Sequence, residues 1–296
     1  MKKIFTLLAF LCTIIGVGQN LMSPSEFLGY ELGTQFSRHH QVMDYYKYVS
    51  NTLANQVKLD TYGYTNERRP LVTAIISSTE NIKNLEAIRN AHLDNAKGSG
   101  NPDKAIVWLS YNVHGNESVS TEASMQTIYE LLTEKKGYLE NTVVIIDPCI
   151  NPDGRDRYVN WYNNAVGTHS YNADQQAREH MEPWPSGRTN HYNFDLNRDW
   201  AWQTQVETKQ RIPLYQQWYP QVHVDFHEQG YNEPYYFAPA AEPLHVLLTP
   251  WQKDFQDQIG KNHAKYFDQN NWLFFTKERF DLLYPSYGDT YPMYNG

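Results

Sequence analysis

The stretch Ala105-Ile-Val-Trp-Leu-Ser-Tyr-Asn-Val-His-Gly-Asn-Glu117 sets the organisation of the chain. It begins as an apolar run of strand length and ends in a polar turn that carries His114 and Glu117; residues 121–135 then repeat apolar side chains at helical spacing. A strand, a turn and a helix in this order put the turn at the carboxyl end of a sheet strand, where open α/β sheets bind ligands. Zinc accepts both imidazole nitrogen and carboxylate oxygen, so the turn is a candidate metal site. An ordinary solvated turn is the alternative.

The rest of the chain alternates between strand and helix patterns. We expect strands at 57–62, 71–76, 142–146, 221–227, 235–238 and 272–276, and helices at 42–56, 81–95, 200–218 and 250–269. The first two strands form a hairpin, and residues 142–146 are a continuous apolar run, as in a parallel strand covered on both faces. The alternation predicts an α/β fold with a mixed, mostly parallel sheet and helices on both faces.

Three segments do not follow this alternation. Residues 24–38 read as an irregular arm, and residues 147–154 as a turn built from Pro, Asp and Gly. Residues 155–193 have little periodicity and many Asn, His and Arg side chains. Loops of this length inside a compact domain are usually functional, so we expect this segment to shape a site. Pro213 should interrupt or kink the helix that contains it.

Composition excludes several classes of protein. The chain has 296 residues, of which 41% are hydrophobic and 20% charged, so it is globular and long enough for a sizeable core. A net charge of −8 argues against nucleic acid and against an anionic membrane face as partners. The 23 Tyr and 8 Trp suit a groove for peptides or sugars, although they are also ordinary core residues.

The first 18 residues have the pattern of a signal peptide. Lys2-Lys3 is followed by an apolar run over residues 4–17 that ends in small residues. The run is too short for a stable membrane span, so we predict export into a periplasm or the medium. Removal of this segment takes Cys12 with it and leaves Cys149, which then cannot form an internal disulfide.

Two later motifs carry further chemistry. His227 ends the strand pattern over 221–227 and is a third candidate metal ligand, whereas His223 lies deeper and reads as an interior histidine. In Asp195-Leu-Asn-Arg198, the Arg fork could bind a carboxylate, or simply pair with Asp199. Asp195 could hold a ligand imidazole in the correct tautomer, or act as a plain cap.

These motifs together carry a resemblance. His114-Gly-Asn-Glu117, Asn151-Pro-Asp-Gly154, Asp195-Leu-Asn-Arg198 and His227, in that order, resemble the zinc metallocarboxypeptidases related to carboxypeptidase A. The resemblance covers roughly residues 40–296 and implies a carboxypeptidase A-like α/β/α sandwich. Residues 19–296 would then be a catalytic domain that is incomplete at its C-terminal end, since the chain stops inside the expected fold.

The resemblance implies roles for six of these side chains. It makes His114, Glu117 and His227 the ligands of one Zn²⁺ ion, with Asp195 supporting the first of them. Asn197 and Arg198 would receive the terminal carboxylate of a peptide substrate.

Other roles follow from the same resemblance. Arg188 would polarise the scissile carbonyl, with Arg178 as the second choice. Tyr284, or else Tyr287, would cover the bound substrate, although either could be ordinary aromatic packing. The family's general-base Glu follows this Tyr segment; because Glu278 is the last Glu here, we expect the base beyond Gly296.

The favoured function is therefore zinc-dependent removal of C-terminal residues from peptides. A deacylase of N-acyl amino acids or an enzyme that trims cell-wall peptides would have the same fold and metal site. A non-catalytic protein that binds zinc and peptide is an alternative from another class, and a structural or adhesive exported protein is a more distant one. The sequence leaves the preferred terminal residue and the oligomeric state open.

Overall fold

A computed structural model describes residues 21–167, 172–230, 232–280 and 282–283. Its centre is a five-stranded mixed sheet in the order β1-β2-β4-β3-β5. The strands are β1 Val57–Tyr64, β2 Pro70–Ile76, β3 Ala105–Tyr111, β4 Thr142–Asp147 and β5 Val222–Phe226. A separate two-stranded sheet joins β6 Tyr235–Tyr236 to β7 Phe274–Phe275. This architecture confirms the predicted α/β class.

Strand direction brings two of the candidate site motifs to one edge of the sheet. β1 and β2 form the predicted antiparallel hairpin, and β2 is antiparallel to β4. β3 runs parallel to both β4 and β5, so four of the five strands point the same way. In the β3–β5 register Ser110 pairs with Asp225 and Tyr111 with Phe226. The turns that follow β3 and β5 therefore begin side by side.

Helices cover both faces of the main sheet. The α-helices of the described residues are α1 Pro24–Leu28, α2 His39–Thr52, α3 Thr79–Lys83, α4 Leu85–Ala96, α5 Val119–Leu132, α6 Pro152–Ala165, α7 Val206–Trp218 and α8 Pro250–Gln269. Of these, α8 packs against the two-stranded sheet, where its Phe267 contacts Tyr235 and Phe274. Residues of α2 and α5 share one core cluster with Val144 and Ile146, whereas residues of α4 and α7 share another with Val143 and Ile145. Alternate side chains of β4 point to opposite faces, and both faces are apolar, which explains its continuous apolar run.

The expectation of a long aperiodic segment from residue 155 is wrong at its start, because α6 occupies residues 152–165. The Asn151 side chain accepts a hydrogen bond from the Gly154 amide (3.0 Å), and Pro152 takes the first turn, as it does at many helix starts. The buried face of α6 carries charged side chains with protein partners, so it lacks the apolar periodicity that predicts a helix. These side chains are Asp153, Arg155 and Asp156.

Several boundaries also differ from the predictions. Residues 24–38 include a short capped helix, α1, because Ser23 and Glu26 form a capping box. The helix predicted at 81–95 is two helices, α3 and α4, that meet at Asn84; the Ser78 side chain caps the first. The helix predicted from residue 200 begins at Val206 and continues through Pro213.

Some predictions concern residues outside the described part of the chain. These are the signal peptide over residues 1–18, Cys12, Tyr284 and Tyr287. Within the described residues, no helix combines the length and the apolar character that a membrane crossing requires.

Candidate metal centre

The turn after β3 is held in one conformation by its own side chains and by α6. The Asn112 amide group donates to the carbonyl oxygens of His114 (2.8 Å) and Glu117 (2.9 Å). A Cβ on Gly115 would lie 2.3 Å from the backbone nitrogen of Arg155, so only glycine lets the turn pack this closely on α6. The Arg155 guanidinium is fully buried and donates to the Ser118 carbonyl (2.7 Å). The turn is therefore rigidly supported.

The structure brings His114, Glu117 and His227 together. Nδ1 of His114 lies 2.8 Å from Oε1 of Glu117, and Nδ1 of His227 lies 2.9 Å from Oε2 of the same carboxylate. One ligand atom from each residue lies within 4.8 Å of the other two. Zinc ligands at 2.0–2.2 Å from the ion are separated by about 3.4 Å in a tetrahedral site. Two imidazole nitrogens and a carboxylate oxygen at these separations fit a zinc ion with one open position.

Charge is concentrated at this cluster. Burial opposes ionisation of Glu117, but the hydrogen bonds and charges of His114 and His227 outweigh it and lower the pKa of Glu117 to about 2. Burial also opposes the charged form of His114, whose pKa is nevertheless raised by hydrogen bonds to Asp195 and Glu117. Glu117 is thus an anion throughout the physiological pH range, as a ligand of a divalent cation must be.

Asp195 joins the cluster to Arg188. Its Oδ1 lies 3.1 Å from Nε2 of His114, and its Oδ2 accepts hydrogen bonds from Nε (3.2 Å) and Nη2 (3.0 Å) of Arg188. Burial raises the pKa of the Asp195 carboxyl, but the hydrogen bond and charge of His114 outweigh it and hold that pKa below its usual range. Nη1 of Arg188 lies 3.8 Å from Oε1 of Glu117. Arg178, the second choice for the same role, is an exposed residue of a 3₁₀ turn over residues 178–180.

Asn197 and Arg198 lie in a 3₁₀ turn, Leu196–Arg198, beside the cluster. Asn197 is fully buried, and its Nδ2 lies 3.4 Å from Nε2 of His227. Arg198 is exposed and donates from Nη1 to the Asn197 carbonyl (3.1 Å). The Asp199 carboxylate, the alternative partner of Arg198, accepts hydrogen bonds from the backbone of Thr204 (2.8 Å) and Gln205 (2.9 Å).

His223 is an interior histidine, as predicted. Its Nε2 lies 2.8 Å from Oγ of Ser110, and its ring packs beside Trp200 and Tyr215. Burial lowers the pKa of His223 to about 4, so the ring is neutral. His223 lies two residues further from the carboxyl end of β5 than Asp225 and is not part of the candidate metal site.

Sequence reasoning missed two carboxylates that touch the site. Oδ2 of Asp225 lies 3.0 Å from Nε2 of His227. The Glu228 amide donates to Oε2 of Glu117 (3.1 Å), and its carboxylate accepts from the Val119 amide (2.6 Å) at the start of α5. Burial raises the pKa of Glu228 to about 7. The sequence spacing does indicate the contact of Asp225, because this residue lies two positions before His227 and therefore on the same face of β5.

A second group of possible metal ligands is better explained as an ion-pair network. Atoms of Glu67, Asp153 and His191 also lie within 4.8 Å of one another. The Arg69 guanidinium already neutralises this group, because its Nη1 lies 2.5 Å from Glu67 and 2.8 Å from Asp153. The network ties the turn between β1 and β2 to the start of α6.

The fold and the cluster of two imidazoles and one carboxylate define an α/β protein with a candidate metal centre. Comparison with known families agrees: residues 42–230 match the model of the zinc carboxypeptidase family, and the chain belongs to this family. The match confirms the family that the motifs predicted.

Solved structures share the fold at low sequence identity. Carboxypeptidase A from Helicoverpa armigera has 17% identity and a TM-score of 0.60, over 93% of this chain and 64% of that one. Bovine thrombin-activatable fibrinolysis inhibitor, solved in complex with tick carboxypeptidase inhibitor, has 13% identity and a TM-score of 0.59. The match covers 89% of this chain and 83% of that one. A metallo-carboxypeptidase from Burkholderia cenocepacia has 15% identity and a TM-score of 0.53. The match covers 80% of this chain and 52% of that one. The chain thus spans less than two thirds of the Helicoverpa and Burkholderia proteins.

Proposed function

We propose that this protein is a zinc-dependent carboxypeptidase that hydrolyses the C-terminal bond of peptides. The observation that carries the proposal is the convergence of His114, Glu117 and His227 beside the Asn197–Arg198 turn. Membership of the zinc carboxypeptidase family supports it. We further propose that residues 1–18 direct export and that residues 19–296 belong to the catalytic domain.

Three side chains would hold the metal. His114 and His227 would bind through Nδ1, because Nε2 of each ring faces an aspartate, and Glu117 would bind through its carboxylate. Bound zinc acts as a Lewis acid and lowers the pKa of water towards about 7.

The arginines would hold the substrate. Arg198 is exposed at the rim and could grip the terminal carboxylate of a peptide through its fork. The buried Asn197 amide beside it would fix the orientation of the same group. Arg188 is kept in place by Asp195, and its Nη1 lies 3.3 Å from Nδ1 of His114, so this guanidinium could stabilise the oxyanion that forms at the scissile carbonyl. Fixing the chain end in this way determines which bond is cut.

Two further roles stay predictions from the family resemblance. A Tyr, Tyr284 before Tyr287, would cover the bound substrate. The general-base Glu that the resemblance implies would take the proton of the attacking water and pass it to the leaving amine.

The proposal is tested by metal content and by peptide binding, neither of which requires turnover. We expect one zinc ion per chain in the wild-type protein and strong loss of zinc in a His114→Ala variant. The zinc-loaded protein should bind a peptide with a free carboxylate at least 10-fold more tightly than its amidated form. Equal affinity for the two peptides would reject the carboxypeptidase assignment.

One observation keeps the cell-wall or acyl-amino-acid alternative open. Glu182, in the long segment after α6, accepts a hydrogen bond from the Asn116 side chain (2.8 Å) in the metal-binding turn. Trp184, two residues later, is 85% exposed. This segment could therefore restrict the pocket to a narrower substrate class. A panel of peptides, cell-wall stem peptides and acyl amino acids would separate these substrates.

A further inference from the structure

Asp225 makes a contact with the candidate metal centre that the family motifs did not predict. It lies on β5 opposite Ser110 of β3, and its side chain is 8% exposed. Because strand side chains alternate, Asp225 and His227 point to the same side of the sheet. Oδ2 of Asp225 lies 3.0 Å from Nε2 of His227, which is hydrogen-bond distance.

We propose that Asp225 is a positioning residue that fixes the tautomer and the orientation of His227 for metal binding. An ionised carboxylate can only accept hydrogen bonds, so the 3.0 Å contact requires the proton on Nε2 of His227. The Asn197 side chain, 3.4 Å from the same nitrogen, must then present its amide oxygen to it and not its NH₂ group. A neutral imidazole then has its lone pair on Nδ1, the atom that faces Glu117 at 2.9 Å. The inference rests on the proposed function, because it assumes that His227 is a metal ligand.

The other candidate imidazole is held in the same way from a different part of the chain. Asp195, at the start of the Leu196–Arg198 turn, lies 3.1 Å from Nε2 of His114 and leaves Nδ1 of that ring towards Glu117. The two rings therefore have equivalent arrangements, with a carboxylate behind each Nε2 and Glu117 between the two Nδ1 atoms. Carboxylate partners of this kind raise the basicity of a ligand imidazole and orient its ring.

Within the described part of the chain, His227 is the hydrogen-bonding partner of the Asp225 side chain. Oδ1 of Asp225 is buried and accepts no hydrogen bond from any residue that the structure describes. The neighbouring Ser110 hydroxyl lies against His223 instead (2.8 Å). Keeping a buried carboxylate with an unsatisfied oxygen is unfavourable for folding, so its contact with His227 supplies a functional reason for its presence.

The test compares zinc affinity in two Asp225 variants and a matched control. Asp225→Asn removes the charge and Asp225→Ala removes the acceptor, whereas Asp147→Asn changes another buried aspartate that contacts Tyr62 and Arg211. We expect zinc to bind about 10-fold more weakly to the Asn variant and up to about 100-fold more weakly to the Ala variant, with the control unchanged. Competition with a chromogenic chelator gives the affinity, and the visible spectrum of the cobalt-loaded protein reports ligand geometry.

The outcomes separate this inference from the proposed function. If the wild-type protein binds one zinc ion that depends on His114 and His227, but both Asp225 variants keep its affinity and cobalt spectrum, the positioning role is wrong. If the wild-type protein binds no zinc through these histidines, the proposed function itself fails. Should the variants not fold, ¹⁵N NMR of the zinc-loaded wild-type protein still decides, because a His227 ring without a proton on Nε2 overturns the inference.

Discussion

Glu117 and His227 are 110 residues apart in the sequence, yet Oε2 of Glu117 lies 2.9 Å from Nδ1 of His227. The contact forms because β3 and β5 are neighbours in the sheet and end in register. Glu117 thus joins the two imidazoles, and its negative charge makes the group suitable for a divalent cation.

Replacing that charge should weaken metal binding. Glu117→Gln keeps the size of the side chain but gives a poor zinc ligand, so we expect zinc affinity to fall at least about 10-fold in a chelator competition. Glu182→Gln is the control, because Glu182 contacts Asn116 in the same turn but does not belong to the group of candidate ligands. Equal losses in the two variants would mean that Glu117 is not a ligand.

Arg198→Ala should remove the preference for a free chain end. The loss of one charged hydrogen bond is worth roughly 1.5–3 kcal/mol, which is about 10–150-fold in the affinity for a free-ended peptide. Binding of the amidated peptide should not change. Arg68→Ala, which alters an exposed arginine in the turn between β1 and β2, provides the control for net charge. Arg198 has no such role if its variant still prefers the free-ended peptide.

Arg188 and Arg178 can be distinguished with a phosphonate peptide, which carries a tetrahedral anion in place of the scissile carbonyl. Arg188→Ala should weaken its binding about 100-fold, the typical effect of one oxyanion-stabilising donor, whereas Arg178→Ala should have little effect. Isothermal titration calorimetry of the two zinc-loaded variants measures their affinities for the phosphonate peptide. The reverse order of effects would transfer the role to Arg178.

The close contact of the metal-binding turn with α6 should make Gly115 intolerant of substitution. In Gly115→Ala the added Cβ would meet backbone atoms at 2.3 Å, which side-chain motion cannot relieve. We expect the free energy of unfolding to fall by about 1–3 kcal/mol in urea denaturation. Gly137→Ala is the control, since its Cβ would meet no atom of the described residues within 4 Å. Similar stabilities for both variants would contradict the close packing.

His39 should make the protein sensitive to acid. Burial lowers the pKa of His39 in the folded protein to about 4 from an ordinary value of 6.5, and its Nε2 lies 3.0 Å from the Pro70 carbonyl. Between these two values the unfolded chain binds a proton that the folded protein does not. The contribution of His39 to stability is therefore complete above pH 6.5 and is lost as the pH falls towards 4, by an amount on the order of 3 kcal/mol.

Urea unfolding at pH 7 and at pH 4.5 measures this effect. Glutamine can still donate to the Pro70 carbonyl but does not titrate, so His39→Gln should lose less stability on acidification than the wild-type protein. An identical loss in both proteins would show that other groups cause the acid sensitivity.

The sequence predicted the parts of the fold that depend on apolar pattern. β4 is an uninterrupted apolar run because both of its faces are covered, and its bounds were predicted within one residue. α6 was missed because its buried face uses Asp153 and Arg155, whose burial depends on partners elsewhere in the chain. Local pattern contains no information about those partners.

The residues of the candidate site were likewise only partly predictable from the sequence. The turn with His114 and Glu117 and the strand end with His227 were recognisable from residue type and position. The contact of Asp225 with His227 was not recognisable in this way. The sequence pattern of a half-buried strand does not show whether an aspartate faces solvent or an imidazole. The orientation of the His227 ring depends on Glu117, which the register of β5 against β3 brings to the end of β5.

That register has a consequence for folding experiments. A slip of β5 by one residue would turn His227 to the opposite face of the sheet, away from Glu117. Zinc uptake during refolding would therefore report correct pairing of these two strands, and a cobalt absorbance signal could follow this step separately from helix formation.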